Sequence, residues 1–189
     1  MHSSVLPSRK FSLNAHWSTQ ELVTIGVFAA VTKLTTLLVA FAGGGMNPAS
    51  LIAKNCLFAM LMIVLLHKVP KIGTLTLATL VGALVALLLM GQGVMHAPGA
   101  IFICLLADGL VHILGGYGKT RNLVIGILVY EIGAKAIGIF FSWLTLREQP
   151  ALMIPIASFI AIGCIGTFLG LAFGVRFTRE LRRAGIIAD

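Results

Sequence analysis

Five ionisable side chains lie inside long apolar segments of this 189-residue chain, and they are the residues best placed to do chemistry. They are Lys33, Lys54, Asp108, Glu131 and Lys135. A charge within a membrane-spanning segment is costly, so such residues usually face a cavity or pair with one another. Glu131 and Lys135 are one helical turn apart, a spacing that favours an ion pair. An unpaired lysine at such a depth would instead suit an anionic ligand such as a carboxylate.

Lys33 and Lys54 have no evident acidic partner, which makes them the strongest candidates for ligand contact. A lysine near the end of a span can extend its ammonium to the interface, which could explain Lys54, but Lys33 is too deep. Asn47, Asn55, Gln92 and His96 are expected at the same level. Whether Glu131 and Lys135 form a structural pair or also bind ligand stays open. The predicted substrate-binding set is Lys33, Lys54, Asn55, Gln92, His96, Glu131 and Lys135.

Other chemistries are also open at these positions. His96, with Met46 and Met95 nearby in sequence or level, could ligate the metal of a tetrapyrrole such as haem or a corrinoid. A lone histidine near a span end is more often an ordinary interfacial residue. The three cysteines stand singly, with no spacing typical of a zinc site or a disulfide framework. We therefore expect no metal site and no resident cofactor.

A membrane-embedded acid–base enzyme is the alternative from another functional class. Asp108 and His112, or Glu131, could transfer protons. No motif supplies a nucleophile, a catalytic metal or an ATP-binding loop. We therefore expect the chain not to be an enzyme. Asp108 and His112 are expected instead to hold the end of the fourth span against the Gly115-Gly116-Tyr117 turn.

Six apolar segments must position these residues. The chain is 58% hydrophobic and 11% charged, whereas soluble domains carry roughly 25% charged residues. A helix of about 20 apolar residues crosses a bilayer. The sequence predicts an all-α integral membrane protein with one transmembrane domain, 21–178, between an N-terminal segment, 1–20, that could form an interfacial helix, and a basic tail, 179–189. Its spans are predicted at 21–42, 48–67, 72–92, 97–115, 121–145 and 151–175.

The basic residues are distributed unevenly between the two sides of these spans. Ten of the fourteen lysines and arginines fall in the N-terminal segment, at the 2–3 turn, at the 4–5 turn and after span 6, from Arg176 onward. On the other side there is only Arg147, and three lysines lie within spans. Basic residues mark the cytoplasmic side of a membrane protein, so both termini are predicted to be cytoplasmic. The net charge of +8 then reflects topology and anionic lipid rather than binding to nucleic acid.

Small residues at four-residue spacing indicate close helix contacts within the bilayer. Span 6 carries Gly166, Gly170 and Gly174, and span 1 carries Gly26 and Ala30. Packing within the monomer is the simpler interpretation of each set. Gly26 and Ala30 could alternatively form a face on which another membrane subunit docks. Spacing does not separate the two.

The chain resembles the substrate-binding S components of energy-coupling factor (ECF) transporters, and within them the Trep_Strep group. The resemblance covers roughly 20–178 and rests on six spans, both termini inside and three short motifs. The motifs are Glu21-Leu-Val-Thr-Ile-Gly26-Val-Phe-Ala-Ala30, Val69-Pro70-Lys71-Ile-Gly73, and Ala107-Asp108-Gly109-Leu110 leading to Gly115-Gly116-Tyr117.

This resemblance implies a subunit of the prokaryotic plasma membrane that captures a vitamin-like micronutrient from outside. Such a subunit docks on a transmembrane T subunit, which two cytoplasmic ATPases drive, and it topples within the membrane to release its ligand. Docking uses an AxxxA pattern on helix 1, to which Gly26 and Ala30 are the nearest match. An anionic ligand is the preferred class and a tetrapyrrole the alternative. A structural or regulatory membrane subunit without ligand remains a third interpretation.

Overall fold

The computed structural model describes residues 17–43, 47–90 and 97–185, and these form six α-helices without a β-strand. A short 3-10 turn, Pro150–Leu152, leads into the last helix. The predicted all-α class is therefore confirmed. The helices are α1 Thr19–Ala42, α2 Pro48–Lys68, α3 Thr74–Met90, α4 Ala97–Ile113, α5 Thr120–Thr145 and α6 Met153–Arg183.

Four of the helices, α1, α2, α5 and α6, are long and apolar enough to cross a membrane. The other two, α3 and α4, are apolar but have 17 residues each, about 25 Å at 1.5 Å per residue. Large apolar side chains are exposed on every helix except α2, including Phe41, Leu88, Ile113, Phe140 and Ile154. A surface of this kind faces lipid, and the chain is a multi-pass membrane protein.

Local sequence explains where the first two helices begin. Ser18 is the N-cap of α1: its hydroxyl accepts from the Glu21 N–H at 3.2 Å, and its own N–H donates to the Glu21 carboxylate at 2.8 Å. Asn47 caps α2 by accepting from the Ala49 N–H at 3.0 Å, and Pro48 stands at the first helical position. Both arrangements satisfy N–H groups that a helix leaves unpaired at its start. Asn47, predicted at the level of the ligand, thus has a capping role.

The helix α6 is longer than predicted from hydropathy. It continues to Arg183, eight residues beyond the predicted end of span 6. Arginine is a good helix former, and basic residues in the last turn interact favourably with the negative end of the helix dipole. The first part of the predicted tail is therefore a helical extension of the span.

The six helices form a ring in which α2 also makes contacts across the middle. The sequence of neighbours around the bundle is α1, α3, α4, α5, α6 and α2, and α2 also contacts α3 and α5 across the middle. Successive helices alternate in direction. One end of the bundle, which we call the basic end, contains the start of α1, the α2–α3 and α4–α5 turns and the C-terminus of α6.

The hydrophobic core lies in the half of the bundle near the basic end. Its buried residues come from the second half of α2, the start of α3, the second half of α4 and the first half of α5. Ile63, Leu65, Leu75, Val111 and Leu123 are among its fully buried members. Fewer core residues lie in the opposite half, where a cavity described below is found.

The contact between α2 and α6 is the closest in the bundle because three glycines of α6 lie directly against the α2 backbone. A Cβ atom on Gly166 would be 2.4 Å from the Ile52 carbonyl oxygen, and one on Gly170 would be 2.2 Å from the Cys56 carbonyl oxygen. On Gly174 it would be 2.3 Å from the Ile63 side chain. The prediction that this glycine stripe packs within the monomer is confirmed.

Candidate functional site

A buried ion pair within α5 is hydrogen-bonded to Thr167 of α6 near the middle of the bundle. Lys135 Nζ donates to Glu131 Oε2 and also to Thr167 Oγ1, the latter at 3.0 Å. The Thr167 hydroxyl in turn donates to Glu131 Oε2 at 2.8 Å. Glu131 and Thr167 are only 8% and 2% exposed. The predicted pair therefore forms, and its charges compensate each other in a region where an isolated charge would be costly.

Asn55 of α2 adjoins this pair. A Cβ atom on Gly163 would lie 3.1 Å from Asn55 Nδ2 and 3.6 Å from Lys135 Cε, so the two side chains share the space that this glycine leaves open. Asn55 Nδ2 also donates to the Leu51 carbonyl at 2.8 Å. We call Asn55, Glu131, Lys135 and Thr167 the polar cluster. An ammonium has three N–H donors, and the pair and the threonine use two of those of Lys135.

A cavity of about 320 Å³ lies between α4, α5 and α6 in the half of the bundle remote from the basic end. Among the described residues that line it, the Ser142 hydroxyl is the one polar side-chain group. Ala134, next to Lys135 in sequence, lines it, and no atom lies within 4 Å of a Cβ atom placed on Gly138. The lining residues are Ala100, Ala134, Ile137, Gly138, Ser142 and Ile160. Ala134 and Gly138 are four residues apart on α5, a spacing that is also typical of helix packing.

Lys33 lies in a different cleft from the polar cluster. Its side chain runs along α3, where Cε would be 3.0 Å from a Cβ atom on Gly82. Phe58, Met62 and Tyr130 line the same cleft, which holds about 20 Å³ of free space, roughly the room one water needs. Within the described parts of the chain, the half-buried Lys33 ammonium has no hydrogen-bond or ion-pair partner. The predicted set is therefore split between two clefts.

The remaining members of the predicted set are Lys54, Gln92 and His96. Lys54 is half-buried on α2, next to Asn55 in sequence. Gln92 and His96 lie outside the described residues, as do Met46 and Met95, on which the tetrapyrrole alternative depended. The structure thus brings together Asn55, Glu131 and Lys135 of the predicted set.

Asp108, a candidate acid–base residue, instead joins three parts of the fold. Its Oδ2 accepts from the N–H and the hydroxyl of Thr76, at 3.0 and 2.6 Å, in the first turn of α3. Its Oδ1 accepts from the hydroxyl of Tyr117, in the turn after α4. Burial and the charge of Asp108 raise the pKa of the Tyr117 phenol above its ordinary value, so Tyr117 keeps its proton and donates. The expectation that Asp108 holds the end of α4 is confirmed.

Gly115, Gly116 and Asn122 complete this turn. Both glycines have positive φ, 107° and 84°, a conformation that side-chain-bearing residues rarely adopt. The buried Asn122 amide donates to the carbonyls of Leu114 and Gly116, at 3.1 and 2.9 Å. The motif from Ala107 to Tyr117 is therefore structural at each of these positions.

The predicted docking pair lies on α1, away from its packed face. Ile25, Ala29 and Thr32 are the buried residues of α1. Gly26 and Ala30 are half-buried, and nothing lies within 4 Å of a Cβ atom placed on Gly26. Unlike the glycines of α6, Gly26 does not pack closely against another of the described helices.

Thr167 and Gly163 are the site residues that the sequence pattern did not single out. Thr167 is the one polar residue between Gly163 and Gly174 on the glycine-rich side of α6. That position could have identified Thr167 as a site residue, because a polar side chain on a helix-packing stripe needs a hydrogen-bond partner on a neighbouring helix. Its partners could not be named without the structure.

Comparison with known proteins supports the architecture. The structure resembles that of a solved S component of an ECF transporter, with a TM-score of 0.61, 17% sequence identity, and coverage of 90% of this chain and 88% of the other. At 17% sequence identity, this similarity shows that the two proteins share a fold and shows nothing further. No match is found among curated proteins. Residues 19–154 match the family model described as a hypothetical bacterial integral membrane protein, Trep_Strep. The chain belongs to the Trep_Strep family of bacterial integral membrane proteins, which places it in the plasma membrane.

Proposed function

We propose that this protein is the substrate-capture subunit of an ECF-type importer. It binds a small vitamin-like molecule from outside the cell and releases it inside, docked on a T subunit that two ATPase subunits drive. The observation that carries the proposal is the S-component fold across nearly the whole chain, with a cavity in the half remote from the basic end. On this proposal the chain has no catalytic role of its own.

The distribution of charge supports the orientation that capture requires. Lys68, Lys71, Lys119, Arg121 and the arginines of α6 lie at the basic end, and basic residues favour the cytoplasmic side. Both termini are then cytoplasmic, and the cavity opens in the outer half of the membrane. A ligand could reach it without crossing the hydrophobic core near the basic end.

The ligand class follows from the cavity and the polar cluster. A volume of about 320 Å³ is at the lower end of the range for small-molecule sites, roughly 300–1,000 Å³. Its apolar wall suits the body of the ligand. Lys135 has one ammonium N–H beyond those bonded to Glu131 and Thr167, and Asn55 adjoins it. We propose a compact ligand whose anionic group meets this end of the site.

Gly26 and Ala30 are proposed as part of the surface that docks on the T subunit. The open space at Gly26 leaves room for the close approach of another helix. Exposed Val23 and Val27 on the same helix add apolar surface. A small-residue pair of this kind lets two helix backbones come together in lipid.

Filling the cavity should block ligand binding without unfolding the protein. We expect Gly138→Leu to lower the amount of small molecule retained on gentle purification roughly ten-fold or more, because the new side chain occupies the ligand's space. Native mass spectrometry measures the retained ligand. Gly109→Leu is the matched control, because Gly109 is also a helical glycine in open space but does not line the cavity. Equal retention in both variants would contradict this placement of the site.

Removing the lysines of the outer half should weaken binding of an anionic ligand. We expect Lys33→Met combined with Lys54→Met to reduce affinity about ten-fold or more, because two positive charges in this half of the bundle raise the local potential for an anion, although neither lysine lines the cavity. Lys68→Met combined with Lys71→Met, at the basic end, is the control and should leave affinity unchanged. Binding is measured with the ligand identified from the native complex. Unchanged affinity in the first variant would refute the involvement of these lysines.

A further inference from the structure

A second cavity, of about 140 Å³, lies at the basic end and has no part in the proposed capture site. It is bounded by the last turn of α2, the first residue of α5 and the C-terminal turns of α6. None of the lining residues that the structure describes is acidic. The lining residues are His67, Thr120, Val175, Thr178, Arg179 and Arg182.

Two guanidinium groups give this cavity its charge. Arg179 and Arg182 are three residues apart and therefore lie on the same side of α6. Glu180, the one acidic residue of the described end of α6, bonds to Arg183 at 3.1 Å, outside the cavity. Within the residues that the structure describes, Arg179 has no hydrogen-bond or ion-pair partner. The described wall of the cavity thus presents positive charge and contributes no carboxylate.

The opposite wall is polar and held in place. His67 Nδ1 lies 2.8 Å from the Ile63 carbonyl oxygen, and His67 Nε2 lies 3.0 Å from Thr120 Oγ1. This contact joins the end of α2 to the start of α5. The N-cap of α5 is Lys119, which makes no side-chain capping bond, so the positive end of the α5 dipole adds to the potential of the two arginines.

Apolar surface continues from the cavity toward the middle of the membrane. Phe168 stands seven residues before Val175, and Ala172 seven before Arg179, so each pair lies on one side of α6. Phe168 is 58% exposed, and Ala172 is exposed as well. A hydrocarbon chain lying along this side of the helix would contact apolar side chains, and its polar end would reach the arginines.

We propose that the cavity between α2, α5 and α6 binds a phosphate group. Guanidinium groups match the geometry of phosphate and donate two parallel hydrogen bonds to it. The exposed apolar side of α6 indicates that the phosphate belongs to the headgroup of an anionic phospholipid. The headgroup of such a lipid would fill the cavity, and its acyl chain would cover Phe168. Inorganic phosphate shares the headgroup chemistry and would use the same arginines.

The test uses the full chain in phosphatidylcholine nanodiscs that contain phosphatidylglycerol. Native mass spectrometry after release counts the phosphatidylglycerol molecules retained, and calorimetry measures binding of inorganic phosphate to the protein in neutral detergent. The variant is Arg179→Gln with Arg182→Gln. The control, Arg176→Gln with Arg183→Gln, removes the same charge from arginines that do not line the cavity.

We expect the first variant to bind phosphatidylglycerol roughly ten-fold more weakly than the native chain, and the control to lose less than about two-fold. Arg179→Lys with Arg182→Lys keeps the charge without the planar fork and should lose an intermediate amount. Binding of inorganic phosphate with the same dependence on these variants would support the site and identify a free anion as its ligand. Equal losses in the variant and its control, or no loss in either, would overturn the proposal.

Discussion

Gly170→Ala should destabilise the protein strongly, although it adds a single methyl group. The new Cβ atom would lie 2.2 Å from the Cys56 carbonyl oxygen and 2.8 Å from Cys56 Cα, and backbone atoms cannot move aside as a flexible side chain can. Overpacking usually costs about 1–3 kcal/mol, and more where the structure cannot relax. We expect a loss at or above the top of that range, measured as a lower midpoint of thermal unfolding in detergent.

Gly109→Ala is the matched control for this change. Gly109 is also inside a helix, but nothing lies within 4 Å of a Cβ atom placed there. Alanine is a better helix former than glycine, by about 0.5–1 kcal/mol, so the control should be neutral or slightly stabilising. A similar midpoint for the two variants would mean that α2 and α6 do not approach each other as described.

Asp108→Ala should also cause a large loss of stability, by a different mechanism. The carboxylate accepts from the Thr76 N–H, the Thr76 hydroxyl and the Tyr117 hydroxyl, and Asp108 is 5% exposed. Its removal leaves buried donors unpaired, at about 1–3 kcal/mol each, and removes the side chain that caps α3. We expect a total loss on the order of 3 kcal/mol or more in thermal unfolding.

A double-mutant cycle separates this network from general damage. Tyr117→Phe removes one of the three donors and should cost less than Asp108→Ala. The combined variant should cost less than the sum of the two, because residues that share a hydrogen bond are not additive. Glu180→Gln, at an exposed carboxylate, is the control and should leave unfolding unchanged. Strict additivity of the two changes would show that Asp108 and Tyr117 do not share a hydrogen bond. An effect of Asp108→Ala no larger than that of the control would show that Asp108 does not stabilise the fold.

The helices were predictable because their signals are local. Apolar runs of sufficient length predict spans, and Pro48 and the glycines after α4 mark helix ends in the sequence itself. The end of α6 was placed at 175 because hydropathy falls there, whereas the helix continues to Arg183. Hydropathy reports where a helix leaves the lipid. It does not report where its backbone hydrogen bonds stop.

The arrangement of the site was less predictable because it depends on which face each helix turns inward. In a membrane both the packed and the lipid-facing sides of a helix are apolar, so periodicity carries little information on orientation. Glu131 and Lys135 could be paired from their spacing. That Lys33 lies against Gly82, away from Asn55 and Lys135, depends on how α1 is rotated. Thr167 was missed for the same reason.

Purification of the tagged full-length protein from its native membrane tests the central claim most directly. We expect a T subunit and two ATPase subunits to co-purify with the protein. We also expect Gly26→Leu, which fills the open space on α1, to abolish this association, while Gly109→Leu leaves it intact. Recovery of the protein without these subunits would contradict its assignment as an ECF capture subunit. Recovery of the subunits in equal amounts with both variants would contradict the proposed docking surface.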